Sequence, residues 1–158
     1  MRIDSELAAF LSSPVMIILG SRDAQGSPDI GRGVGARVDS EAGVLEVVLS
    51  GWQWPGTVAN VRNSGRAAVT FARPHDYVTY QIKGSAQIVE IDAGALLLSS
   101  RYIDEITAVL CELGLERRLI AHWLTQREAV VVRLPIESVF IQTPGSKAGH
   151  LIASAQTP

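Results

Sequence analysis

The sequence predicts an α+β fold that is mainly β, an antiparallel sheet of six or so short strands closed into a small barrel with helices at its periphery. Strand-period alternation recurs in short runs separated by turns rich in Gly, Pro and Asp, the pattern of hairpins. The helical period appears only at the start, once between strands and in one late insertion, so the strict β-α alternation of a parallel sheet is missing. The 158-residue chain also carries 14 glycines. Close strand packing in a small closed barrel uses such residues, and closure removes exposed sheet edges.

The elements follow in order. Asp4 or Ser5 caps a short helix whose apolar positions Leu7, Ala8, Phe10 and Leu11 share one side, and Pro14 stops it. "PVMIILGSRDAQGSPDIGRGVGARV" reads as two strands joined by "RDAQGSP", and "DSEAG" turns the chain into the strand "VLEVVLS". Pro55 is placed as a first helical residue, and Gly65 ends that helix after two to three turns. "RAAVTFAR" and the long run "YVTYQIKGSAQIVEI" alternate as antiparallel neighbours around the turn "PHD". From Asp92 the period becomes helical through "DAGALLLSSRYIDEITAVLCELG" and "LERRLIAHWLT", split by Gly114. "EAVVVRLPIESVFIQTP" returns to strand, with Pro135 marking an edge, bulge or break, and "GSKAGHLIASAQTP" has no period. Residues 1–158 therefore read as one domain, with 143–158 as a flexible tail.

Composition narrows the functional classes. Hydrophobic residues make up 47% and charged residues 19%, a low charged share for a soluble domain, so apolar surface must be hidden in a subunit interface. A formal net charge of -2 gives no basic excess for nucleic-acid binding. The N-terminus lacks a signal peptide, and no apolar run reaches the roughly 20 residues of a membrane span, so the reading is a cytoplasmic protein with no membrane partner. The single Cys111 lies in an apolar helical pattern and reads as a structural thiol. His75, His122 and His150 have no paired spacing, so no metal site is expected. No nucleophile, base or carboxylate pair stands out, so any chemistry would have to be supplied by a cofactor.

In "GRGVGAR" the glycines Gly31, Gly33 and Gly35 alternate with Arg32, Val34 and Ala36. Alternation puts bare backbone on one face, open to another chain or a flat ligand, or to close packing at a barrel corner, with Arg32 opposite. For an anionic ligand, the helix opening at Pro55 is the natural partner, because its backbone N–H groups and dipole favour negative charge.

This order of elements, with the join "NSGRAAVTF" and the strand end "KGSAQIV", resembles the pyridoxamine 5'-phosphate oxidase-like family of FMN-binding split β-barrels. The likeness spans roughly residues 3 to 91, and "VVVRLPIESVFIQTPG" resembles the family's closing strands. The resemblance implies a homodimer with FMN at the subunit interface and an oxidoreductase activity on a small-molecule substrate. It assigns Arg32 to the flavin-contacting strand, with Gly33, Val34 and Gly35 offering backbone to the ring. Leu49 and Ser50 would meet the ribityl chain or phosphate, Trp52 and Trp54 the cofactor's rim, and Thr79 and Gln81 would reach it across the interface. At the phosphate position the family's Ser-Arg-Lys-like set is replaced by Pro55, Gly56 and Thr57. The amides of Gly56, Thr57 and Val58, the Thr57 hydroxyl, and Arg62 or Arg66 would have to stand in. That loss implies weak FMN binding or a flavin-free dimer of the same fold. Haem binding through His150 is a further alternative, and the tail lacks the substrate motif expected of the pyridoxamine phosphate oxidase itself.

Overall fold

The computed structural model describes residues 1–155. Its elements in chain order are α1 (Ser5–Leu11), β1 (Met16–Arg22), β2 (Pro28–Asp39), β3 (Val44–Ser50), α2 (Pro55–Ser64), β4 (Arg66–Ala72), β5 (Thr79–Ser85), β6 (Gln87–Val89), α3 (Ala93–Glu112), α4 (Arg117–Ile120), β7 (Ala129–Pro135), β8 (Ser138–Ile141) and β9 (Leu151–Ser154). The caps are those the sequence indicates. Asp4 accepts the Leu7 N–H at 2.8 Å, Pro55 opens α2, and Gly65 closes it at φ 61° with its N–H on the Val61 carbonyl. Asp92 caps α3 by accepting the Ala95 N–H.

All strands pair antiparallel in one nine-stranded sheet ordered β6-β7-β3-β2-β1-β4-β5-β8-β9. The count is nine and not six, for an identifiable reason. The long run from Tyr77 is divided at Ala86, whose N–H leaves the ladder for the Gly65 carbonyl, so β5 pairs with β8 while β6 pairs with β7. The run from Ala129 is divided in the same way at Ile136 and Glu137, after Pro135 removes a ladder donor. Two strands thereby become four, and the two halves of each reach opposite ends of the sheet order, which curls it into a barrel. The ninth strand is β9. It returns on β8 through Val139 and Ala153, so this part of the tail continues the sheet as an edge strand. The second late helix is also shorter than its sequence pattern, because α4 ends at Ile120 and the chain continues as turns.

Inside the barrel sit Ile17, Leu19, Val47, Leu49, Val69, Phe71, Ile82 and Val139, all buried. Gly33 faces this interior. A Cβ at Gly33 would lie 2.6 Å from Ile17 Cγ2 and 2.8 Å from Val47 Cγ1, so the position has no room for a side chain. Both neighbours are β-branched and stiff. Gly33→Ala should therefore destabilise the fold by about 1–3 kcal/mol, the cost of overpacking. The check is a drop in the urea midpoint with an unchanged m-value, and a midpoint equal to that of the parent protein would contradict it. Outside the barrel, α3 covers the far half of β2 and part of β3, burying Ala95, Ser99, Tyr102 and Ile106. β2 carries a bulge between Gly33 and Ala36, where Gly35 takes φ +141° and meets the Ser99 backbone.

Candidate functional site

Strand register puts two side-chain rows on the outward face of β2-β1-β4-β5-β8. One row runs Arg32, Ile18, Thr70, Gln81 and Phe140, and the next runs Ile30, Gly20, Ala68, Lys83 and Ser138. The alternate residues, Leu19, Val69 and Ile82 among them, fill the core. Among the described residues, α3 comes beside these rows at Arg32, through Tyr102. Ile30 is 60% exposed at one end, and on the edge strand Leu151 and Ile152 are exposed as well. Gly20 and Ala68 make a low floor beside Ile30, Lys83, Arg22 and Arg66, a shallow groove of about 470 Å³.

Polar groups on this face are held in place. Gln81 donates to the Thr70 hydroxyl at 3.1 Å, and the Lys83 ammonium lies 4.6 Å from the centre of the Phe140 ring. The Arg32 guanidinium stands 5.1 Å over Trp123 and contacts the Met16 sulfur. Half-burial lowers the Arg32 pKa, and the neighbouring Tyr102 opposes that shift. A planar guanidinium already stacked on an indole is well suited to a flat ligand or a partner carbonyl.

Beside this face, the loop after β3 is tied to the segment before β7. Ser50 Oγ donates to the Arg127 carbonyl at 2.8 Å, Gln53 Nε2 to the His122 carbonyl, and Arg127 stacks 4.5 Å over Trp52. The two tryptophans of this loop therefore differ. Trp52 is exposed on the rim, whereas Trp54 packs inward against Gly31, whose Cβ would come within 3.2 Å of it. Sequence reasoning misses Trp123, Arg127 and Lys83 here, because each is brought in by a distant strand or helix.

Several assigned positions lie elsewhere. Gly31 and Gly33 do not present bare backbone to a ligand; their face is the barrel interior, filled by Ile17, Val47 and Leu49. Val34 is fully buried and Gly35 lies under α3, so a flavin ring would have to displace that helix to reach them. Leu49 and Val58 are core residues. Ser50 spends its hydroxyl on Arg127 and on the Gln53 N–H, and Thr79 is tied to Tyr77 and Thr143. Of the assigned set, Arg32, Gln81 and Trp52 remain available together, with Gly56 exposed at the opening of α2.

That opening does not fit an FMN phosphate. Pro55 has no N–H to offer. Thr57 is fully buried and donates its hydroxyl to Asp29 Oδ2 at 2.9 Å, and the same oxygen would lie 2.9 Å from a Cβ on Gly56. A carboxylate thus stands against the first turn of α2, beside Gly56 and Thr57. Arg62 is in the last turn of α2, about 10 Å along the helix axis by the usual rise, and Arg66 lies beyond its end, where the dipole favours cations. Arg66 is moreover paired with Glu137 at 3.0 Å, so neither arginine replaces the missing pair. Asp29 escapes sequence reasoning because it reads as an ordinary residue of the strand after the turn, and its partner Thr57 is 28 residues away.

Among the described residues no group of His, Cys, Asp or Glu is placed to hold a metal, and no helix is long and apolar enough to cross a membrane. His150 is exposed in the turn between β8 and β9, with its N–H on the Lys147 carbonyl.

No family model matches the chain, and no curated protein matches its sequence. Solved structures do match its shape. HupZ from Group A Streptococcus aligns over 94% of this chain and 100% of its own, with 18% identity and a TM-score of 0.58. A candidate pyridoxamine 5'-phosphate oxidase from Lactobacillus delbrueckii aligns over 88% and 93%, with 19% identity and a TM-score of 0.55. HutZ, a haem storage protein from Vibrio cholerae, aligns over 89% and 95%, with 17% identity and a TM-score of 0.53.

Proposed function

We propose, for a chain with the split β-barrel fold of the pyridoxamine 5'-phosphate oxidase-like proteins, that it is a homodimer which holds a flavin against the outer face of β2-β1-β4-β5-β8 and serves a small-molecule oxidation or reduction. The observation that carries this reading is the outer face itself. It combines a low Gly20 and Ala68 floor, the apolar Ile18 and Ile30, and the row of Arg32, Thr70 and Gln81. A second copy is the occupant that would hide such a surface while leaving a flat gap between two sheets. The low charged fraction of 19% supports an interface of this kind.

The redox chemistry would belong to the flavin ring, and the chain's residues would position it. Arg32 and Gln81 offer N–H donors on the face, and Trp123 and Trp52 wall the end of it. Because the α2 opening does not fit a phosphate, the ring face and not the phosphate would provide most of the affinity. Arg32→Ala should weaken flavin binding by roughly 1–3 kcal/mol, the range for losing a charged hydrogen-bond partner. Titration of the purified protein with riboflavin, followed by quenching of flavin fluorescence, measures this. A folded Arg32→Ala dimer with unchanged affinity would remove Arg32 from the site.

A second reading is a dimer of the same fold that has lost the flavin, and the Asp29 carboxylate at the α2 opening favours it. The visible spectrum of the purified protein separates the two. A band near 450 nm, roughly the usual flavin position, or one appearing on added riboflavin supports the first reading. A colourless protein indifferent to riboflavin and FMN supports the second, and a Soret band on added haemin would point instead to the chemistry named for HutZ.

A further inference from the structure

The geometry points to Asp29 as the residue that closes the opening of α2 to phosphate groups, so that a phosphate-bearing ligand gains nothing from that helix end. For the ligand this rests on the flavin reading above; for the closure itself it does not. Three observations meet here. α2 is ten residues long, and the amides of Gly56 and Thr57 in its first turn have no acceptor within the helix. Asp29 Oδ2 accepts the Thr57 hydroxyl at 2.9 Å and crowds the Gly56 Cα, where any side chain would meet it at 2.9 Å. Among the described residues no arginine or lysine lies within ion-pair distance of Asp29, although Arg22, Arg66 and Lys83 line the same groove, so its carboxylate stands beside the first turn of α2 without a direct cationic partner.

A helix opening attracts anions through its dipole and free amides. A carboxylate of the chain held beside the first turn through the Thr57 hydroxyl repels a second anion placed there at short range. The absence of a basic pair would only weaken a phosphate site, whereas an internal carboxylate excludes one. The same geometry explains why simply replacing Gly56 with arginine would not rebuild the site: the new guanidinium would pair with Asp29. A lysine at Thr57 would have to be buried. Removal of the carboxylate is therefore the step that opens the subsite.

The test follows the backbone amide resonances of Gly56 and Thr57 in the full-length protein during titration with inorganic phosphate at constant ionic strength. In the parent protein they should stay still. In Asp29→Asn, which keeps an oxygen to accept the Thr57 hydroxyl, they should move saturably, with apparent phosphate affinity at least tenfold above that of the parent. Asp29→Ser provides the same test should the asparagine variant fail to fold. Saturable movement in the parent at the same concentrations overturns the proposal, and so does the absence of movement in the folded variant. A parallel comparison of riboflavin and FMN addresses the ligand. Equal affinities in the parent, with a gain for FMN alone in the variant, support it, and a tenfold preference for FMN in the parent refutes it. If neither flavin binds, the proposed function fails, while the phosphate titration still decides the closure.

Discussion

Replacing Ile18 with aspartate should turn the proposed dimer into a monomer that keeps its fold. Ile18 lies at the centre of the outer face, directly between Arg32 on β2 and Thr70 on β4. In a single chain it is only half-buried, so a carboxylate there stays in contact with water and costs little folding stability. Between two sheets the same carboxylate would be desolvated, and a two-fold interface would bring its copy nearby as a like charge. Desolvating that carboxylate costs several kcal/mol, which the adjacent Arg32 offsets only in part, and a net cost of about 3 kcal/mol corresponds to over a hundredfold in the dissociation constant. Light scattering at micromolar concentration should give twice the chain mass for the parent and the chain mass for the variant, with superimposable circular dichroism. A variant that remains dimeric with an unchanged dissociation constant would show that the interface lies elsewhere, and a monomeric parent would end the dimer itself.

The contrast between Ile18 and its neighbours shows where sequence reasoning holds. Its reach is the local period: Ile17 and Leu19 face the core and Ile18 faces out because side chains alternate along a strand, whatever the partner strand is. Caps are equally local, and Asp4, Pro55 and Gly65 lie at the helix ends that their chemistry indicates. Arg32 is likewise legible as standing opposite the glycines. Which of the two faces stays open is not. That depends on α3, which comes from much further along the chain and packs on Gly35 through Ser99, and on Ile17 and Val47, which close over Gly33. Alternation distinguishes two faces without saying which one another element will cover. The Asp29–Thr57 hydrogen bond and the Arg127–Trp52 stack are hidden for the same reason, since each joins residues that only the barrel's closure brings together. β9 is invisible because its exposed Leu151 and Ile152 lie on an edge strand with no alternating burial to leave a period.

Closure of the barrel depends on a single small residue, and Gly84→Ala should be among the most damaging one-methyl changes available to this chain. Gly84 lies on β5 just before the chain leaves one end of the sheet order for the other, where β5 passes over the end of β7. A Cβ at Gly84 would overlap the Pro135 carbonyl, and the Leu134 side chain stands 3.1 Å away on the same side. At Gly33 the obstacles are the side-chain methyl groups of Ile17 and Val47, stiff but able to give way with their side chains at a cost in strain. At Gly84 the obstacle is backbone, anchored by the Leu45–Leu134 pairing on one side and by the Glu137 N–H to Lys83 carbonyl bond of 3.0 Å on the other. Relief would have to separate β5 from β7, which gives up that bond and exposes Ile82 and Leu134, both fully buried. The expected cost is about 3 kcal/mol or more, at the upper end for overpacking because a backbone clash cannot relax through a rotamer. Chemical denaturation of the purified variant should show the loss as a lower midpoint. Since β5 and β7 carry the outer face and its rim, flavin quenching should weaken with it. A Gly84→Ala protein as stable as the parent would mean that β5 and β7 do not approach closely at this point, and that the sheet closes by some other pairing.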